Sequence, residues 1–151
     1  MKTNPIRYSS AVGECWVHAM FKVKYCHKIF DNEKVRACAD QLFKDAFEKY
    51  GIRCGTIGFD CDHVHMTIDL GLRSKPQVAK LLKGYTGSKI LKTFPELQKK
   101  LFWGGGFWNP SYYIDSSRGL ETITKYVNKQ KYGIAQQFVD KTQRTLASFA
   151  A

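Results

Sequence analysis

Apolar and polar positions alternate along some stretches of the chain and recur at helical spacing along others. Over residues 16–25, Val17, Ala19, Phe21, Val23 and Tyr25 alternate with Trp16, His18, Met20, Lys22 and Lys24. A period of two predicts a strand with one buried face. After Asp31 or Asn32 as a cap, Val35, Cys38, Ala39, Leu42, Ala46 and Tyr50 form one helical stripe, and Gly51 supplies the stop. Residues 52–59 predict a second strand, interrupted by Gly55 and Gly58. Asp60-Cys61-Asp62 then turns into a third strand over residues 63–70. Ser74 and Pro76 open a helix through Val78, Leu81, Leu82 and Tyr85, with a break expected near Gly84 and Gly87. Phe94-Pro95 interrupts again, and a short helical turn runs to Leu101. Residues 103–106 read as a loop and 107–115 as a fourth strand with Trp108, Tyr112 and Tyr113. Ser116 or Ser117 starts a last helix, striped by Leu120, Ile123 and Val127.

This order, β-α-β-β-α-β-α, predicts an α+β fold: a ferredoxin-like antiparallel sheet with helices packed on one face. RNA-recognition (RRM-like) domains share the order, so it does not name a function. The 151 residues suit one domain, over residues 14–133, with a loose N-terminal segment (1–13) and a C-terminal tail (134–151).

Composition adds a partner. Lys and Arg number 24 against 13 Asp and Glu, a net charge of +11, while 44% hydrophobic and 14% aromatic residues exclude a disordered chain. A chain so basic is expected to meet a polyanion. Residues 71–100 concentrate the charge, with Arg73, Lys75, Lys80, Lys83, Lys89, Lys92, Lys99 and Lys100 against Glu96 alone. Lysines there could contact phosphates, with Gly84 and Gly87 letting a backbone approach. Trp103, Phe107, Trp108, Tyr112 and Tyr113 could stack on unpaired bases, although core packing is the better reading of Phe107 and Tyr113. The five cysteines form no CxxC pair, which excludes a disulfide framework or zinc knuckle and predicts reduced thiols. No apolar run is long enough to span a membrane, and residues 1–5 lack an export signal's apolar stretch, so a cytoplasmic location is expected.

Residues 62–69 carry the most chemistry. On a strand, His63, His65, Thr67 and Asp69 share one side, while Val64, Met66, Ile68 and Leu70 share the core side. Two adjacent imidazoles are good donors to a divalent metal, although an isolated His-x-His pair also arises easily by chance on a solvated strand. Two ligands leave a metal under-coordinated, so a third is required. On the last helix, Tyr126 and Gln130 lie four apart and face the same way, beside the stripe of Ile123 and Val127. The phenol could act as a nucleophile and the amide oxygen as a metal donor; a boundary tyrosine beside a solvated glutamine is the plainer alternative.

His63-Val64-His65, followed by Tyr126 with Gln130, resembles the single-tyrosine HUH transposases of the insertion-sequence 200/605 type. Lys24-Tyr25, Asp62, Leu82-Lys83-Gly84 and the block Phe102-Trp103-Gly104-Gly105-Gly106-Phe107-Trp108-Asn109-Pro110-Ser111-Tyr112 agree with that family in order and spacing. Cys61 stands where the family often has proline. The resemblance implies an HUH catalytic domain over residues 14–133 that binds hairpin ends of an insertion sequence and cleaves and rejoins single-stranded DNA. It implies Tyr126 as the nucleophile of a 5′-phosphotyrosine intermediate, and His63, His65 and Gln130 as ligands of Mg²⁺ or Mn²⁺. It also implies a homodimer with sites shared between subunits. Arg73, Lys75, Lys80, Lys83, Lys89 and Trp108 are the DNA-contact candidates. A repeat-associated or replication-type HUH nickase, or a non-catalytic single-stranded nucleic-acid binder, is the alternative.

Overall fold

The computed structural model describes residues 6–8, 11–102 and 105–116. Its strands are β1 (Ile6–Tyr8), β2 (Ala11–Gly13), β3 (Trp16–Val23), β4 (Arg53–Phe59), β5 (His63–Asp69) and β6 (Trp108–Asp115). Its α-helices are α1 (Glu33–Tyr50), α2 (Lys75–Thr93) and α3 (Pro95–Lys100). β4, β5, β3 and β6 form one antiparallel sheet in that spatial order, with β5 and β3 at its centre. α1 joins β3 to β4, and α2 with α3 joins β5 to β6, which is the expected ferredoxin-like arrangement.

One core forms between the sheet and the helices. Val17, Ala19, Phe21 and Val23 of β3 and Val64, Met66 and Ile68 of β5 meet Val35, Ala39, Phe43, Ala46 and Phe47 of α1 and Val78, Leu82 and Ile90 of α2. The buried stripe of α1 is thus centred on Phe43 and Phe47, one position round from the expected Cys38 and Leu42, which are only half-buried. The two large rings displace the smaller side chains from the centre because they bury more apolar surface.

The helix ends follow local chemistry. Asn32 Oδ1 accepts from the backbone N–H groups of Lys34 (2.9 Å) and Val35 (3.3 Å), and Gly51 closes α1 in the left-handed conformation at φ 64°. Ser74 and Gln77 form a reciprocal capping box at the start of α2.

Three expectations need correction. Residues 6–13, expected to be loose, contain β1 and β2 paired with each other, strands too short to leave an alternation in the sequence. The first main strand stops at Val23, and Lys24–Cys26 form a 3₁₀ turn. α2 runs through Gly84 and Gly87 unbroken, because buried neighbours on both sides hold it and Gly87 packs against Trp108. A Cβ at Gly87 would lie 3.1 Å from Trp108 Cδ1, so this glycine serves close packing rather than contact with a ligand backbone.

Candidate functional site

β5 separates its two sets of side chains as the alternation predicts, but its polar side is not solvated. His63 and His65 are each 1% exposed, and Thr67 and Asp69 are fully buried. In the centre of the sheet these groups must find partners inside the protein.

Thr67 and Asp69 do so structurally. Thr67 Oγ1 accepts from Thr56 N at 2.8 Å and shares a hydrogen bond with Thr56 Oγ1 at 3.0 Å. Asp69 accepts from Cys15 N (2.6 Å), Gly71 N (2.9 Å) and Arg53 Nε (3.1 Å) and is ion-paired to the Arg53 guanidinium. Both residues knit β5 to its surroundings.

The histidines differ. His63 Nδ1 lies 2.6 Å from Asp62 Oδ1, so the ring donates there and Nε2 carries the lone pair. That Nε2 is buried and has no hydrogen-bond partner among the described residues. Asp60 Oδ2 lies 3.8 Å from it, too far for a hydrogen bond but close enough to attract a cation to the same place. Burial would raise the Asp62 carboxyl, but the hydrogen bond it accepts from His63, with the nearby charge of Lys22, holds it below its ordinary pKa. Asp62 therefore stays ionised and fixes the His63 tautomer.

His65 stands beside His63, ring centroids 4.6 Å apart, opposite Gly58 on β4, which has no side chain to crowd it. Its Nδ1 lies 2.9 Å from Nε2 of His18 on β3, and the two rings stack at 5.1 Å. Burial first, then the neighbouring His63 and His18, pushes the His65 pKa well below its ordinary value, so the ring is neutral at physiological pH. A neutral imidazole is the form that ligates a metal.

A divalent cation fits this donor set. An orphaned, buried imidazole nitrogen, a carboxylate fixing its tautomer and a neutral second imidazole are what such a site requires. Among the described residues no group of three or more His, Cys, Asp or Glu completes it. The expected third ligand Gln130 and nucleophile Tyr126 lie outside the described residues, as does Trp103. His18 was not legible as part of this site. Its one signal was its place on the polar side of the first strand's alternation.

The basic candidates surround α2. A cleft of about 730 Å³ is walled by Lys80, Lys83, Gly84 and Lys92 of α2 and by Pro110 and Tyr112 of β6, with Trp108 at its floor. Lys80 also borders a second cleft with Arg73 and Tyr85. Lys75 and Lys89 are exposed, and Lys89 Nζ lies 4.9 Å from the centroid of the Tyr85 ring. Lys83 is held inward, its ammonium donating to the carbonyls of Asn109 (2.6 Å) and Pro110 (3.0 Å), and burial lowers its pKa. Trp108 is corrected from stacking platform to core residue. It is 6% exposed, its Nε1–H donates to Thr86 Oγ1 at 2.9 Å, and Phe21, Phe30, Phe43 and Phe107 pack round its ring. No helix among the described residues is long and apolar enough to cross a membrane.

Fold and site define a class: ferredoxin-like domains that carry a buried histidine pair on one face of a central strand and a basic helix packed on the other. The chain belongs, within it, to the IS200-like transposase family, whose model matches residues 11–130. It is 32% identical over 116 residues to the ISDra2 transposase TnpA of Deinococcus radiodurans, an alignment covering 75% of this chain and 81% of that one. Two solved structures share the fold. One is described as a transposase from Deinococcus radiodurans R1, with TM-score 0.64, 23% identity, and coverage of 85% of this chain and 99% of the other. The second is a REP-associated tyrosine transposase bound to a REP hairpin, with TM-score 0.54, 9% identity, and coverage of 85% and 70%.

Proposed function

We propose that this transposase binds hairpin-bearing single-stranded DNA and cuts and rejoins it through a covalent link to Tyr126. The observation that carries the reading is the buried Nε2 of His63, which has no hydrogen-bond partner among the described residues and is held in its tautomer by Asp62 beside the neutral His65 in a member of this family. A lone pair left unpaired in a sheet interior is costly unless something binds it.

His63 and His65, with Gln130 as third ligand, would hold Mg²⁺ or Mn²⁺, which when bound polarises the phosphate and offsets charge developing in the transition state. The residues of the chain do the rest. Asp62 keeps the His63 proton on Nδ1, and His18 holds the ring of His65 from the opposite side. The Tyr126 hydroxyl attacks phosphorus. Its O–P bond forms as the bond to the 3′ oxygen breaks, the phenol proton leaves, and the 3′ oxygen takes up a proton. One phosphoester replaces another, so resealing needs no external energy source. On the helix that the sequence predicts, Tyr126 and Gln130 stand four residues apart and would move together. A homodimer with sites completed between subunits belongs to this reading, as do backbone contacts from Arg73, Lys75, Lys80 and Lys89 to a hairpin.

The test is a labelled single-stranded oligonucleotide with a hairpin, incubated with the protein and Mg²⁺ or Mn²⁺. The expected product is a covalent protein–DNA adduct on a denaturing gel, absent in Tyr126→Phe. Retention of the DNA without any adduct would instead establish a non-catalytic binder. Mixing Tyr126→Phe with His63→Ala subunits restores the adduct if the sites are shared and leaves it absent if they are not.

A further inference from the structure

Tyr25 is the one aromatic ring among the described residues that stands open to solvent, at 59% exposure. It is held there on a strained backbone. Tyr25 and Cys26 adopt φ of 62° and 56°, two successive left-handed residues with no glycine. In that region an L side chain crowds its own carbonyl, and Gly or Asn would relieve the strain. The 3₁₀ turn over Lys24–Cys26 buries none of its residues, so the strain is not offset by core packing. Strain kept at an exposed ring points to a use for the ring.

Its surroundings suit a flat, anionic-linked ligand. Lys24 Nζ lies 5.4 Å from the Tyr25 centroid, and a Cβ at Gly105 would collide with that ammonium. The His27 ring stands roughly perpendicular to Tyr25 at 5.8 Å, its Nε2 3.3 Å from the carbonyl of Leu101 and its ring 5.3 Å from Phe102. Tyr25, His27, Lys100 and Leu101 wall a shallow cleft of about 300 Å³. The turn is tied to the histidine site. Val23 N donates to the Asp62 carbonyl at 2.8 Å, and Asp62 is the residue that orients His63.

We propose that Tyr25 is a stacking platform for one unpaired nucleobase of single-stranded DNA entering the histidine site, with Lys24 and Lys100 against the flanking phosphates. The inference rests on the single-stranded DNA transposase reading above. A tyrosine face accepts any base, so the platform places the strand without reading its sequence.

The test uses the full chain and hairpin oligonucleotides whose single-stranded arm carries 2-aminopurine at successive positions. One position is expected to lose fluorescence on binding, in wild type and in Tyr25→Phe but not in Tyr25→Gly. Affinity for the armed hairpin should fall about tenfold in Tyr25→Gly, with no change for a hairpin lacking the arm. Because glycine relieves the left-handed strain, Tyr25→Gly should melt at or above the wild-type temperature. If wild type forms the adduct and Tyr25→Gly matches it in affinity and quenching, the platform is overturned and the transposase reading stands. A Tyr25→Gly protein that melts well below wild type also overturns it, since the ring is then structural. If wild type neither binds the arm nor forms an adduct, both readings fall.

Discussion

His18 Nε2 and His65 Nδ1 meet at 2.9 Å between the two central strands, and this bond decides which nitrogen of His65 keeps its lone pair. A neutral imidazole has one donor and one acceptor. If His65 Nδ1–H donates to His18, then Nε2 of His65 can ligate; the reverse leaves Nε2 protonated and inert. Metal binding through Nε2 therefore requires His18 to accept, which makes it a positioning residue.

His18→Ala removes that acceptor. We expect Mn²⁺ affinity to fall about 10- to 100-fold, the usual effect of losing an outer-shell partner. Loss of the His18–His65 bond should cost about 1 kcal/mol of stability. Calorimetric titration with Mn²⁺ and urea unfolding measure the two separately. A folded His18→Ala that binds Mn²⁺ as wild type does would show that His18 takes no part in the site.

Lys80 and Lys83 sit one turn apart on α2 but should respond differently. Lys80 is exposed at the border of both clefts, so Lys80→Gln should weaken DNA binding, lower the salt slope by about 1, and leave stability unchanged. Lys83 ties α2 to the β6 carbonyls of Asn109 and Pro110, so Lys83→Gln should also lower the melting temperature. Filter binding across a salt series and thermal melts check both. Equal melting temperatures for the two variants would contradict the structural role given to Lys83.

Cys54 and Cys26 should separate by reactivity. Burial first, then the nearby Asp40 charge, pushes the Cys54 thiol up to about 12 against the partial opposition of Lys44, whereas Cys26 is exposed. At pH 8, iodoacetamide should modify Cys26 and spare Cys54, as peptide mapping would show. The sign for stability follows from proton binding. The unfolded thiol titrates near 9.0 and the native one near 12, so the native state holds a proton that the unfolded state has lost between them. Stability from this group is present below pH 9 and falls as pH rises toward 12. Urea unfolding at pH 8 and pH 10.5 should show the loss in wild type and a smaller one in Cys54→Ala.

Much of the framework was legible before folding because it depends on neighbours in the chain. The alternation at Val64, Met66 and Ile68, the cap at Asn32 (one of two candidates), the Gly51 stop and the opening of α2 at Ser74 depend on contacts across a few residues, and each stands where the pattern placed it. The strand order followed from the succession of elements, since a split β-α-β arrangement has few unknotted ways to close. His63 and His65 were placed on a shared face by the same period-two rule.

What decided the site lies between distant residues. Whether that face was solvated or buried depended on tertiary packing, which the alternation of β5 does not encode. The His18–His65 bond joins residues 47 apart, and only the register that sets Met20 against His65 brings them together. Trp108, read as a platform, became core because Thr86 and four phenylalanines surround it, and α2 crossed its glycines because that core held it straight. Tyr25, read as the last residue of a strand, turned out of the sheet in a conformation no propensity favours. Local pattern assigns each residue a face; packing decides whether that face meets water, another side chain or a vacant lone pair. For a buried imidazole, that difference separates a structural residue from a ligand.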